Sequence, residues 1–357
     1  MKRTERKSLR SHQQLSAWLM GLPGLAILFT FVLLPLILGG FWSLTNQRLI
    51  SPVPSRFVGL DNYRNLLSIK VLSLEDEIAT RGLSTNQDAN PLREILRSDP
   101  TYEGFREWFR LDHGDTTRVV VASDVVFMKS LVNTLVFVLV IVPGQGGLAL
   151  LLALLVNQNI RGRNAFRTIY FAPVVTSMAV IAIVWAFLYN PQHGVINAVL
   201  NRLTFGQIGE IGWLVDTRYA LLAIIIVSAW QAAGFQMVIF LAGLQGIPQY
   251  LYEQAEIDGA GRFRTFTNVT MPQLRNTTIF VIISTTILAF RVFTQVDVMT
   301  RGGPQNATST VVYHAVNQGF RQQRIGYASA ITMVFFVIVL LVALVQKVLL
   351  KSEKETE

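Results

Sequence analysis

The sequence predicts an all-α polytopic membrane protein with six transmembrane helices, and three observations carry that expectation. Of 357 residues, 51% are hydrophobic and only 15% are charged, and the mean hydropathy is +0.42, a balance that soluble domains seldom reach. Apolar runs long enough for a bilayer core, about 20 residues each, recur at 17–44, 130–156, 167–189, 219–244, 278–299 and 327–350. Lys and Arg gather in alternate short connectors between them.

Residues 1–16 carry Lys2, Arg3, Arg6, Lys7 and Arg10 ahead of the first run. That run is too long for a signal-peptide core and lacks a clear small-residue cleavage site, so a retained first span is expected. The 45–129 segment is a long loop. Its middle, about 72–124, mixes acids and bases with Tyr102, Phe105, Trp108 and Phe109. A helix or two is expected there, starting near Asn90-Pro91. So short an insertion rarely builds a core of its own, which makes it a small cap on the membrane domain. Two roles stay open for it: a solvated insertion, or a platform for an extracytoplasmic partner. The 130–350 core follows, with a polar loop at 245–277, and residues 351–357 form a tail. In the second span Gly144, Gly146 and Gly147 follow Pro143, a pattern that suggests close helix packing, the default, or a break in the span. Trp185 and Tyr189 share a face near one end of the third span, as in an interfacial aromatic belt.

Orientation follows from the short loops. The N-terminal tail, Arg161, Arg163 and Arg167, then Arg262, Arg264 and Arg275, and finally Lys347, Lys351 and Lys354 all fall on one side. That side is the cytoplasm by the positive-inside bias, which is moderate because Arg202, Arg218, Arg301, Arg321 and Arg324 lie opposite. The net charge of +9 is accounted for by these flanks, so nucleic acid is not an expected partner. Cysteine is absent, and the four histidines have no metal-ligand spacing. No Gly-Lys pair occurs anywhere, so the chain has no P-loop and is not its own ATPase by that route.

Polar side chains inside spans are costly in lipid and usually face a bundle interior or a wet path. Gln231 and Gln236 lie in the fourth span, and Arg291 and Gln295, four apart, are expected on one helix face of the fifth. These four residues are the candidate lining of a path for a hydroxyl-rich substrate, because amides and a guanidinium supply its hydrogen-bond partners; the alternative for Arg291 is a side chain that snorkels to the outer interface.

The polar island from Leu251 to Pro272 is the most informative stretch. Pro248 to Glu256 reads as a short amphipathic helix, Gly259 as a reversal that takes positive φ, and a second helical stretch runs to Met271-Pro272. Glu253-x-Ala255, Gly259 and Val269-x-Met271-Pro272 resemble the E-A-A-x3-G-x9-I-x-L-P signature of binding-protein-dependent ABC importer permeases. Gln254, Val269 and Met271 are the departures. Phe57-Val-Gly-Leu-Asp-Asn-Tyr63, Gly302-Gly303-Pro304 and Gly326-Tyr-Ala-Ser-Ala330 look like the carbohydrate-uptake branch, first of its two permease subunits, of the maltose and glycerol-phosphate type. The resemblance covers nearly the whole chain except the insertion.

The resemblance implies a type I importer permease whose 251–272 loop is a cytoplasmic coupling helix seated in a cleft of a separate ATPase. Glu253 would meet a basic residue of that cleft, Ala255 would allow close approach, Gly259 would make the turn, and Asp258 and Pro272 complete the motif. The implied partners are a second permease subunit in a heterodimer, a nucleotide-binding ATPase dimer, an extracytoplasmic solute-binding protein, a sugar or oligosaccharide and the lipid bilayer. ATP and Mg would sit on the ATPase, with no cofactor on this chain. The implied location is a bacterial or archaeal cell membrane, inner or plasma, with both termini cytoplasmic. A secondary, ion-coupled transporter is the rival, although no internal repeat is evident. A membrane enzyme would need a catalytic carboxylate pair that the outer loop does not single out.

Overall fold

A computed structural model describes residues 18, 20–81, 91–113, 116–158, 161–207 and 209–350. The basic tail 1–16 and the tail 351–357 lie outside the described residues. The chain divides into two compact units, one of Met1–Leu66 with Ala315–Val334, the other of Leu67–His314 with Phe335–Glu357.

In the first unit, α1 (Met20–Ser43) buries none of its apolar window against the chain, as a lipid-facing helix does. It passes through a π-helical turn at Phe29–Leu33. The segment after it is pinned by side chains: Asn62 donates to the Ser43 and Thr45 carbonyls at 2.8 and 2.9 Å, and Tyr63 meets the Ser43 hydroxyl at 2.7 Å. Gly326 lies so close to this turn that a Cβ there would stand 2.0 Å from the Thr45 carbonyl oxygen. Only glycine permits that approach.

The second unit holds the insertion and most of the helical bundle. The insertion contains the short helices α2 (Leu74–Arg81) and α3 (Pro91–Ser98), the latter starting where expected. It also contains an antiparallel sheet of β1 (Ile69–Ser73), β2 (Arg106–His113) and β3 (Thr116–Ala122), in the order β1-β3-β2. Strands were not expected here. The central strand reads T-T-R-V-V-V-A, whose β-branched run favours a pleat, and the charges of β2 are tolerated because it is an edge. Leu72, Leu92, Val119 and Val121 form a core of their own beneath Tyr102 and Phe105. The Glu75 carboxylate accepts the Thr117 N–H at 2.8 Å to each oxygen. Hydrogen bonding to backbone, first at Glu75 itself and then at Thr117, holds its pKa below the ordinary value. A depressed folded pKa means that the contact stabilises above the unfolded value and is lost as pH falls through the folded one. The protection factor of the Thr117 amide, its exchange rate relative to the intrinsic rate at each pH, should therefore fall as the Glu75 carboxylate is protonated at acid pH, and Glu75→Gln should flatten that dependence.

The bundle is built on α4 (Val125–Asn157) and α5 (Ala220–Gln245), the most extensively paired helices of the fold. Asp124 caps α4 by accepting the Phe127 N–H at 2.9 Å, and its other oxygen lies 3.0 Å from His314 Nε2. At 33 residues α4 spans roughly 50 Å and outruns a bilayer core. It runs through Pro143 unbroken, and nothing lies within 4 Å of a Cβ built on Gly144, Gly146 or Gly147. Among the described residues, nothing packs closely against those glycines, contrary to expectation. Close packing occurs instead at Gly234 on α5, where a Cβ would stand 2.1 Å from the Tyr170 carbonyl oxygen.

Tyr189 is also not a belt residue. It is 2% exposed, packs with Ile181, Ala223 and Val227, and donates its hydroxyl to the Ala223 carbonyl at 3.3 Å. Trp185 packs against it and against Trp230, each with centroids 5.4 Å apart.

Two expected spans are bent. The third comprises α6 (Arg163–Val175) and α7 (Met178–Leu188), which turn by 101°. Pro173 lacks the donor of a regular turn, and Thr176 takes an extended ψ of 138°. The fifth follows from α8 (Arg262–Gln273) into α9 (Arg275–Phe290), with a 66° bend. Among the described residues, four helices are long and apolar enough to cross a membrane: α1, α4, α5 and α10 (Ile325–Leu349). The bent pairs bring the number to six if each is one span.

Candidate functional site

A cavity of about 300 Å³ opens inside the second unit where α4, α5 and the end of α9 converge. Its position follows from a break in the fifth span. That span was expected to run helically to 299, with Arg291 and Gln295 on one face. Instead α9 ends at Phe290, residues 291–293 are non-helical, and a short helix, α11 (Thr294–Met299), resumes beyond them. The Val292 carbonyl, which would otherwise take the amide four residues on, accepts the Thr310 hydroxyl at 3.0 Å. Val292 and Val296 are 4% and 0% exposed and hold the break in the core.

Three of the four expected path residues, Gln231, Arg291 and Gln295, line this cavity. Arg291 reaches it from the break itself and Gln295 from the short helix beyond it. Gln231 donates to the Pro173 carbonyl at 3.3 Å, and Gln295 donates to the Ser228 hydroxyl at 3.1 Å. Gln236 does not line the cavity. It is buried on α5 and its amide donates to Thr285, which does line it. Gln145 and Ser228 also line the cavity and were not singled out in the sequence, and Thr285, noted there as a polar residue of the fifth span, was not assigned to the path. Ser228 lies three residues before Gln231, the spacing of one helix face, which was the available signal.

The loop beyond α5 has the expected helix-glycine-helix form. Pro248 precedes α12 (Gln249–Ile257), Gly259 adopts φ +70°, and α8 follows. The turn is closed by the Gly259 N–H to the Glu256 carbonyl at 3.0 Å and the Ala260 N–H to the Ala255 carbonyl at 2.9 Å. Tyr252 meets the Thr270 hydroxyl at 3.2 Å, and fully buried Leu274 anchors the base of the loop. Glu253, Asp258 and Pro272 are exposed, while Ala255 is 7% exposed and packs inside the chain itself. Ile257 and Phe263 project at 85% and 78% exposure on either side of Gly259. The sequence reading had not singled out these two apolar side chains.

Long apolar helices, an internal polar cavity and a projecting two-helix loop define a multi-pass membrane permease. The profile of the family described as binding-protein-dependent transport system inner membrane component matches residues 145–354, and the chain belongs to that family. It is 31% identical over 331 residues to the diacetylchitobiose uptake system permease protein NgcF of Streptomyces coelicolor, covering 90% of this chain and 80% of that one. It is 35% identical over 223 residues to the sn-glycerol-3-phosphate transport system permease protein UgpA of Agrobacterium fabrum, covering 62% and 74%. The fold matches a chain of a bacterial ABC transporter involved in import of the acidic polysaccharide alginate, with a TM-score of 0.67, 18% identity, and 99% and 100% coverage. The chain is an inner membrane component of a binding-protein-dependent transport system, and the ion-coupled alternative has no support.

Proposed function

We propose that this permease works as half of a heterodimer with a second permease subunit, and that an ATPase dimer carrying ATP and Mg drives it through the 251–272 loop. The observation that carries this reading is the projecting loop. Its turn is fixed by a left-handed Gly259, its base by Leu274, and its outer edge presents Glu253, Asp258, Ile257 and Phe263 to solvent. An edge of acids flanked by two bare apolar side chains is built to enter a cleft of another protein. In this reading the loop and both termini are cytoplasmic, and nucleotide-driven closure of the ATPases tilts the helices rigidly. The cavity then receives cargo from an extracytoplasmic binding protein. Gln231, Arg291 and Gln295 contact the cargo, and Gln236 acts behind them by holding Thr285.

Purification of the full chain from native membranes in mild detergent tests the assembly. The expected result is recovery of a second permease and a P-loop ATPase, with hydrolysis stimulated by a loaded binding protein. A chain that is alone and silent in conditions preserving complexes would overturn it. Gln295→Ala should raise KM for uptake by about tenfold while leaving basal hydrolysis unchanged, as expected for one lost hydrogen bond to cargo. Unchanged uptake kinetics would remove Gln295 from the path.

A further inference from the structure

The relatives and the structural neighbour differ in the charge of their cargo: a neutral disaccharide, a phosphate ester and an acidic polysaccharide. The geometry points to a cargo that carries an oxyanion, a phosphate or carboxylate on a hydroxylated body, bound at Arg291. This rests on the importer reading above.

Arg291 is the single charged side chain among the residues that line the cavity. It is solvent-exposed within it, and no carboxylate among the described residues pairs with it. Its position is set by the fold, because it closes α9 and its N–H is tied to the Leu288 carbonyl at 3.1 Å. The partial negative charge at the end of α9 offsets only about half of a unit charge. A guanidinium is expensive to strip of its water when no anion replaces it. Cargo that fills the cavity removes that water, so cargo must bring the compensating charge.

The remaining polar lining fits the rest of such a molecule. Gln145, Ser228, Gln231, Thr285 and Gln295 offer amides and hydroxyls that both donate and accept, as sugar hydroxyls require. The aromatic lining consists of Phe137 and Phe293. Trp185 and Trp230, the larger surfaces on which a neutral sugar ring would stack, are packed against each other outside it. A planar fork of donors is instead the group suited to bidentate recognition of a carboxylate or phosphate.

The test feeds one mixture to cells that carry the full transporter with or without this chain. The mixture contains neutral and uronic oligosaccharides from a polysaccharide digest, together with glycerol 3-phosphate, glucose 6-phosphate, glycerol and glucose. Mass spectrometry identifies what is taken up only when the chain is present. The expected compound is anionic. Arg291→Gln should lower kcat/KM for its uptake by about tenfold to a hundredfold, and Arg291→Lys should recover part of that loss. Phosphate and uronate members of the mixture separate the two oxyanion sources. Uptake of neutral compounds at rates equal to the acids would overturn the inference and leave the importer reading standing. So would anionic uptake that Arg291→Gln leaves unchanged. No uptake at all, with no stimulated ATP hydrolysis, would overturn both.

Discussion

Replacing Gly234 with alanine should destabilise the chain more than any other single methyl addition in the α5–α6 contact. The added Cβ would stand 2.1 Å from the Tyr170 carbonyl oxygen, 2.9 Å from its carbonyl carbon and 3.1 Å from Phe171 Cα. All three are backbone atoms, so no rotamer relieves the clash, and α5 must move away from α6. That movement would also pull on the Gln231 contact to Pro173 and on the buried row Ala233, Met237 and Phe240. Overpacking of this kind costs about 1–3 kcal/mol and more where backbone is the obstacle, against a total of about 5–15 kcal/mol. The thermal midpoint in detergent should fall by roughly 5 °C. Gly144→Ala and Gly147→Ala are the controls, because a Cβ there meets open space. An unchanged midpoint in Gly234→Ala would show that the two helices do not approach as described.

Gly259→Pro should leave the chain in the membrane and abolish transport. Proline holds φ near −65°, whereas this residue adopts +70°. The substitution also deletes the N–H that closes the turn on Glu256 at 3.0 Å. No atom lies within 4 Å of a Cβ at this position, so the damage stays within the loop. Uptake should drop to that of cells lacking the chain, and hydrolysis by the copurified ATPase should no longer respond to loaded binding protein. Gly259→Ala should be milder, at about 1–2 kcal/mol for the left-handed backbone. Normal uptake by the proline variant would remove this loop from the coupling route.

The parts of this fold that were legible in the sequence are those written as composition along the chain. Runs such as Val125–Asn157 and Ile325–Leu349 declare themselves by hydropathy, and the Gly259 reversal by a glycine between a short amphipathic helix and a second helical stretch. Breaks are different, because hydropathy does not report backbone direction. Thr176 and Ser177 sit among apolar residues, and the interruption at 291–293 depends on Thr310, a residue far along the chain that captures the Val292 carbonyl. The same limit explains the glycines. Gly144, Gly146 and Gly147 form the conspicuous cluster, yet whether a glycine packs depends on which helix lies opposite, and Gly234 has that neighbour. The insertion's strands are short and interrupted by Arg106, Glu107, Arg110 and Arg118, so their pairing shows only once β3 supplies a partner on both sides. Within the cavity, Gln231, Arg291 and Gln295 stood out as costly in lipid. Ser228 did not, because a small hydroxyl satisfies itself within a helix, as this one does on the Ile224 carbonyl at 2.7 Å.

The interruption at 291–293 bears on how such a transporter changes over generations. Val292, which also borders the cavity, and Val296 bear the packing there, while the polar side chains of Arg291, Thr294 and Gln295 line the cavity. The residues that hold the shape are therefore interleaved with residues that the shape does not need. Substitution at Arg291 removes no buried contact, so a lineage can exchange the charge it offers to cargo without first acquiring a stabilising change elsewhere. A continuous helix would place the same side chains on a face shared with packing neighbours, and each new cargo would then disturb the bundle. Divergent cargo on a common scaffold is the expected outcome of a wall built this way.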